Sequence, residues 1–314
     1  MIGKQINIFG EEDDFNVSQN GKRVGLAYQG SKSRIAKIIV ELLPSGNRFV
    51  DLFGGGGSVT HSAILSNKWK EFLYNDYDKI VCEYFEKAIK GEYKNETRVI
   101  TREDFERLKD TDPYVRFVWS FGNKGGEYLW GKDIEEIKLL ACRMLMDNDW
   151  HDRFRHYREL IRSVLKGVHD ERLELQSLEN LERLQSLENL ERLQSLERLE
   201  RLQSLERLER LQSLERLGHI KCTNMSYQDY EYQDGDVVYC DPPYENTTRY
   251  NNQDFDSKAF YEWVKTRPYQ VWFSSYEISD DSFYKEKIFS LQRIMSAQDQ
   301  KSYANEYLYS NKKI

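Results

Sequence analysis

The sequence predicts an α/β chain built around a sheet, and three observations predict it. RFVDLF, residues 48–53, is a short apolar run that meets four consecutive glycines and then a helical pattern, SVTHSAILSN. KEFLYND, residues 70–76, repeats the theme and leads into the helical stretch YDKIVCEYFEKAIKG. Far downstream, GDVVYCDPPY and QVWFSSYEI are again apolar runs of strand length. Strand and helix patterns in alternation build sheets covered by helices.

The remaining elements are placed in order. Residues 1–25 are polar and read as a loosely ordered arm. SKSRIAKIIVELLP, residues 31–44, is expected to be an amphipathic helix with Ile35, Ile38, Ile39 and Leu42 on one face. Ser31 or Ser33 is its expected cap and Pro44 its stop. From 101 to 168 the texture changes to aromatic and charged. Helical patterns at TREDFERLKD and DIEEIKLLACRMLMD flank a Gly-rich turn, FGNKGGEY, and read as a mainly helical lobe interrupting the sheet. The tail, SLQRIMSAQDQKSYANEYLYSN, alternates like an edge hairpin. The expected organisation is therefore an arm (1–25), a sheet domain in two parts (26–100 and 219–314), the lobe (101–168) and a repeat insertion (170–217).

That repeat sets a leucine at every third position from Leu175 to Leu217, in a nine-residue unit of the form LERLQSLER. Three residues of an α-helix advance about 300°, so the leucine row winds around the rod and leaves no apolar face. Helix-forming residues and i,i+4 pairs such as Glu179/Arg183 and Glu188/Arg192 nevertheless favour helix. A compact solenoid with inward leucines is the preferred reading, with one or two helices as the alternative. The unit contains no group able to do chemistry. It reads as a surface insertion, with a protein-contact or DNA-clamping module as the alternative.

Composition bounds the rest. The 314 residues suffice for one large domain and a smaller piece, and 39% hydrophobic with 32% charged residues describe a soluble chain. No apolar run approaches the roughly 20 residues of a membrane span, and the start lacks a secretory pattern. Cys82, Cys142, Cys222 and Cys240 are widely spaced and read as reduced thiols of a cytoplasmic protein, and no metal site is expected. A formal charge of −7 argues against nucleic-acid binding by bulk electrostatics alone, though not against a local basic groove.

Two segments carry chemistry. In VVYCDPPYENTTRY a strand runs into Asp241-Pro242-Pro243-Tyr244, a rigid turn at the carboxyl end of a strand, where open α/β sheets bind ligands. Proline carbonyls, the Asp241 carboxylate and an exposed Tyr244 ring together suit a planar group bearing an NH2, such as a nucleobase, a plain Pro-rich turn with an exposed Tyr being the alternative. The glycines after Asp51 allow close backbone approach to a ligand. The pattern is neither GxGxxG nor a P-loop. Asp76 follows Asp51 by 25 positions, close to where an acid reads ribose hydroxyls in nucleotide-binding folds.

Tyr28-Gln29-Gly30-Ser31-Lys32, Asp51-Leu52-Phe53-Gly54-Gly55-Gly56-Gly57, Asn75-Asp76 and Asp241-Pro242-Pro243-Tyr244 follow one another in an order that resembles the Dam-type (class α) DNA adenine-N6 methyltransferases. The resemblance implies a Rossmann-like methyltransferase sheet with a helical DNA-recognition lobe, S-adenosyl-L-methionine as donor and double-stranded DNA as substrate. It also implies a prokaryotic or phage-encoded setting, including restriction–modification. On this resemblance Tyr28, Gly30 and Lys32 sit against the cofactor with Asp51, and Phe53, Gly54, Gly55 and Gly56 wrap its methionine and ribose. Asp76 takes the ribose hydroxyls. Asp241 and the Pro242 carbonyl accept from the adenine amino group, Pro243 shapes the turn, and Tyr244 stacks on the flipped base.

Two places depart from the family pattern. Met225-Ser226-Tyr227 stands where an acid–aromatic pair is common, with Ser for the acid and Tyr227 toward the cofactor. Residues 120–128 match the DNA-contacting stretch only loosely, through Asn123 and Lys124, a polar turn being the alternative. The rival activities are methyl transfer to cytosine N4, where Ser-Pro-Pro is usual, or to a protein glutamine, where Asn-Pro-Pro is usual. A repeat-based interaction protein with a degenerate enzyme half is the rival from another class.

Overall fold

The computed structural model describes residues 24–93, 96–133, 219–245, 255–294 and 301–313, together with residues 5–6, 12–13, 135 and 139. The repeat, Cys142 and most of the second helical pattern of the lobe lie outside the described residues. Within the N-terminal 25, Gln5–Ile6 pairs antiparallel with Glu12–Asp13.

Two compact units are present, residues 1–26, 30–90 and 210–314 in the first and residues 27–29 and 91–209 in the second. The first is the sheet. In chain order its elements are α1 (Ala36–Leu42), β1 (Arg48–Asp51), α2 (Ser58–Ser66), β2 (Glu71–Asn75), α3 (Lys79–Ile89), β3 (His219–Thr223) and β4 (Asp236–Cys240). The second unit's α4 (Arg102–Leu108) and α5 (Pro113–Val118) lie between α3 and β3 in sequence. The sheet ends with α6 (Ser257–Lys265), β5 (Val271–Ser275), β6 (Tyr284–Ile294) and β7 (Lys301–Ser310).

The strand order is β3-β2-β1-β4-β5-β7-β6. The first five run parallel, and β7 pairs antiparallel with both β5 and β6. Strands β4 and β5 are buried along their whole length, as DVVYC and VWFSS predict for strands covered on both faces. The hairpin expected in the tail is present, with β6 on the edge and β7 inside it. The chain runs outward from β1 through β2 to β3, then restarts beside β1 with β4 and continues the other way. The strand order therefore reverses between β1 and β4, the position at which open sheets form a crevice at their carboxyl ends. Asp51 ends β1 and Asp241 follows β4 there.

At the other end of the same strand pair, Arg48 faces Asp236 across the β1–β4 register. Its Nε and Nη2 donate to the two carboxylate oxygens at 2.8 and 2.7 Å. Tyr230 also donates its hydroxyl to Asp236, and the Gln233 amide adds a bond of 2.9 Å. The carboxylate is buried, and this donor set is what makes its burial tolerable.

Helix α1 differs from expectation at its start. Ile35, not Ser31 or Ser33, is the N-cap, and no side chain caps it. The Lys32 carbonyl accepts from the Ile35 and Ala36 amides instead, making a turn of the entry. The Ser31 hydroxyl is bonded to the Ser58 hydroxyl at 2.7 Å and so ties this segment to the start of α2. The buried face also differs: Ile35, Ala36, Ile39, Val40 and Leu43 are buried, whereas Ile38 and Leu42 are half-buried.

In the second unit, Thr101 caps α4 by accepting from the Asp104 amide, and Asp112 caps α5, whose first residue is Pro113. Phe105, Tyr114, Phe117, Trp119 and Tyr128 are buried there. Among the described residues, no helix is long and apolar enough to cross a membrane.

Candidate active site

The glycine turn is set by what lies beneath it. The Tyr74 ring on β2 stacks on Phe85 of α3 at 3.9 Å. A Cβ on Gly54 would enter the Tyr74 ring, and one on Gly57 would enter the Phe85 ring. Gly57 also has φ +65°, a left-handed value that glycine alone adopts without strain. Tyr74 donates its hydroxyl to the Gly55 carbonyl at 2.6 Å, the Leu26 amide donates to the Gly56 carbonyl at 2.6 Å, and the Gly55 amide donates to Asp76 Oδ2 at 2.8 Å. The loop is thus held from three sides.

Asp76 accepts the Asp78 amide as well, at 2.9 Å. Burial pushes its carboxyl up to about 6 against the pull of these two amides. Asp51 is fully buried. Its Oδ2 accepts from the Thr60 hydroxyl at 2.8 Å, whereas Oδ1 has no hydrogen-bond partner among the described residues. Burial pushes Asp51 up to about 7, opposed by the Thr60 hydroxyl and by the nearby Phe53 amide. Asn75, next to Asp76, joins three strand ends. Its amide donates to the Leu52 and Met225 carbonyls, and its oxygen accepts from the Met225 amide and the Thr223 hydroxyl. Ser226 caps the short turn Tyr227–Asp229. The Tyr227 ring packs 5.4 Å from Phe53 and 5.1 Å from Trp263, forming an aromatic wall beside the glycines.

The second cluster gathers around Asp241. Its Oδ1 accepts from the Ser274 hydroxyl of β5 at 2.8 Å, and its Oδ2 lies 2.7 Å from the Lys32 ammonium. The same ammonium lies 4.8 Å from the centre of the Tyr244 ring, 3.6 Å from a Glu306 carboxylate oxygen and 3.3 Å from the Gly30 carbonyl. Gly30 has φ +75°, which places that carbonyl. Tyr244 donates its hydroxyl to Glu306 and meets the edge of Tyr276 at 4.8 Å. Pro242 is buried and Pro243 half-buried.

Lys32, Asp241 and Tyr244 are therefore brought together. Gly54, Gly55, Gly56, Asp51 and Asp76 gather around the glycine turn, with Phe53 and Tyr227 flanking it. Tyr28 belongs to the second unit, where its ring meets Phe117 edge-on at 5.5 Å. Asn123, in that unit, has φ 55° and donates its amide to the Phe117 carbonyl at 2.7 Å, which closes the turn, and Lys124 is exposed. Glu306 is the site residue that sequence reasoning missed. Its phase gave no signal, since β7 is buried at Leu308 and Ser310 on one face and at Tyr309 on the other.

A family model described as D12 class N6 adenine-specific DNA methyltransferase matches residues 28–303. The chain belongs to this family. A comparison with curated proteins finds no match. As an adenine-N6 DNA methyltransferase it acts on an exocyclic aromatic amine in DNA, and its family transfers the methyl group of S-adenosylmethionine. Those tasks require acceptors for N–H groups, an aromatic face, and a cradle for a nucleoside bearing an amino acid. The two clusters at the carboxyl ends of β1, β2 and β4 supply groups of these kinds.

Proposed function

We propose that Asp241-Pro242-Pro243-Tyr244 is the amine-binding turn of this methyltransferase and that the glycine turn with Asp51 and Asp76 is its cofactor cradle. One observation carries the first half. The Lys32 ammonium, a nitrogen bearing N–H donors, rests on Asp241 and against the Tyr244 ring. The position is thus built to hold such a nitrogen between an acceptor and an aromatic face. The second half is supported by the unpartnered Asp51 Oδ1, which fits the ammonium of an amino acid, and by Asp76 beside the bare backbone of Gly55, which fits a ribose diol. Phe53 and Tyr227 add an apolar wall. In this reading Lys32 serves the catalytic turn rather than lying against the cofactor.

The lone pair of an aromatic amine is delocalised into its ring, so the amine is a weak nucleophile. Asp241 and the Pro242 carbonyl accept its N–H groups and draw them out of plane, which localises the lone pair on nitrogen. Tyr244 holds the flipped base by stacking. Ser274 fixes the Asp241 carboxylate by donating to Oδ1, leaving Oδ2 to receive the amine. S-adenosylmethionine, when bound, supplies a methyl carbon on a positively charged sulfur. As the carbon–nitrogen bond forms, the carbon–sulfur bond breaks with its electron pair passing to sulfur, which leaves as the neutral thioether. The positive charge thus moves to the nitrogen, where Asp241 stabilises it and is placed to take up the surplus proton for release to water.

The substrate in this reading is adenine in double-stranded DNA, with residues 101–168 as the recognition lobe and Asn123 and Lys124 in its DNA-facing turn. The repeat is a surface insertion, and the cytoplasm is the setting. Expression in a methylation-free host followed by genome-wide mapping of modified adenines tests the reading. Methylated adenine at one short sequence is the expected result, and its absence, or methylation of cytosine, overturns it.

A further inference from the structure

Glu306 has no assigned part in methyl transfer, and the fold goes to some length to place it. The register of β6 against β7 slips by one residue between Lys287 and Phe289, opposite Tyr307 and Glu306. A bulge of this kind re-aims side chains, and bulges are frequent beside active sites. It lies where the carboxylate enters the interior, with the Glu306 side chain 12% exposed. A buried carboxylate is costly unless it is paired. Its partners are the Tyr244 hydroxyl and the Lys32 ammonium, both in the amine-binding cluster.

The geometry raises a question about Lys32. In the state seen here its ammonium holds Asp241 Oδ2 at 2.7 Å, the oxygen that the substrate amine needs. A site in which a lysine keeps that oxygen competes with its own substrate. The ammonium also has a second carboxylate within reach, 3.6 Å away on Glu306. A movement of about 1 Å toward Glu306 turns that approach into a full charge-assisted hydrogen bond and clears Oδ2.

We propose that Glu306 is a positioning residue of the methyltransferase site: it receives the Lys32 ammonium when the target amine takes Asp241, and it fixes the plane of Tyr244 through the tyrosine hydroxyl. The inference rests on the assignment of Asp241–Tyr244 as the amine-binding turn. It adds the residue that lets the turn exchange one N–H donor for another without leaving a bare lysine charge. The two carboxylates share one cation, and arrival of the base decides which of them holds it.

The test is a cycle of Glu306→Gln and Lys32→Met on the full chain. Glu306→Gln keeps an acceptor for Tyr244 but removes the charge that attracts Lys32. It is expected to lower the single-turnover rate about ten- to a hundredfold, with the Kd for duplex DNA within about twofold, since the change acts after the duplex is bound. In the Lys32→Met background the same substitution should have little further effect, because no ammonium remains to be received. Equal effects in both backgrounds, or an unchanged single-turnover rate in Glu306→Gln, overturn the proposal. Glu306→Asp, which keeps the charge but withdraws it by one methylene, serves if the Gln variant does not fold: a rate equal to that of the unaltered chain overturns the proposal there too. If the unaltered chain methylates adenine and Asp241→Ala does not, while Glu306 variants behave normally, only the role of Glu306 fails. If Asp241→Ala retains full activity, the underlying assignment fails first, and the role of Glu306 with it.

Discussion

Lys32 and Asp241 form an ion pair of 2.7 Å between residues that begin and end the catalytic sheet's motif series, one in the turn before α1 and the other directly after β4. Asp241 is shared between this ammonium and the Ser274 hydroxyl, so both of its oxygens are oriented before any substrate arrives. Asp241→Asn keeps the shape but replaces one oxygen with a donor. We expect it to lower the methyl-transfer rate on the order of a hundred- to a thousandfold. Cofactor affinity, measured by calorimetry, should change little.

Asp51 makes stability depend on pH. Its folded-state carboxyl titrates at about 7, above the ordinary value, because burial disfavours its charge. The folded chain therefore keeps this proton longer than the unfolded chain. Stability contributed at low pH is lost as pH rises from about 4 to about 7 and is then level. Asp51→Asn removes the titrating group. Without cofactor, the variant should be more stable than the unaltered chain at pH 8, by on the order of 4 kcal/mol, and that advantage should shrink toward pH 4. Denaturant melts at the two pH values check this, and a parallel loss of cofactor binding is expected.

Gly54 is required by packing as much as by any ligand. Gly54→Ala should destabilise the fold by about 1–3 kcal/mol, the usual cost of overpacking, because the new methyl meets the Tyr74 ring. Thermal unfolding without cofactor reads this directly.

The repeat supplies none of the residues gathered in either cluster. Replacing residues 175–216 with a short linker should leave adenine methylation within about tenfold of the full chain, a loss no larger than one displaced positioning contact would cause. Loss of activity despite a cooperative melt would assign the repeat a working part.

Much of the sheet was legible because buried parallel strands announce themselves as apolar runs, as DVVYC and VWFSS do. The glycine turn, Asp76 and the Asp241–Tyr244 turn were legible because special backbone needs leave Gly and Pro in the sequence. The residues that escaped are those whose roles are set by distant partners. Ser31 reads as a helix cap, yet its hydroxyl is committed to Ser58, which no local pattern reveals. Glu306 lies in the tail that reads as an edge hairpin, and nothing in the alternation sets it apart, since Leu308 and Ser310 on one face and Tyr309 on the other are all buried. The purpose of a buried acid becomes clear only from Tyr244 and Lys32, which lie elsewhere in the chain.

The Arg48–Asp236 pair has a consequence for how the enzyme is made. The two residues are 188 positions apart, yet they hold the two central strands together. At a synthesis rate of about 5–20 residues per second, Asp236 emerges roughly 10–40 s after Arg48. Through that interval β1 has β2 on one side and an open edge on the other, the kind of edge to which stray strands add. Lengthening the chain between them lengthens this exposure. Each added repeat unit therefore delays closure of the sheet on the ribosome, whatever it does in the finished enzyme.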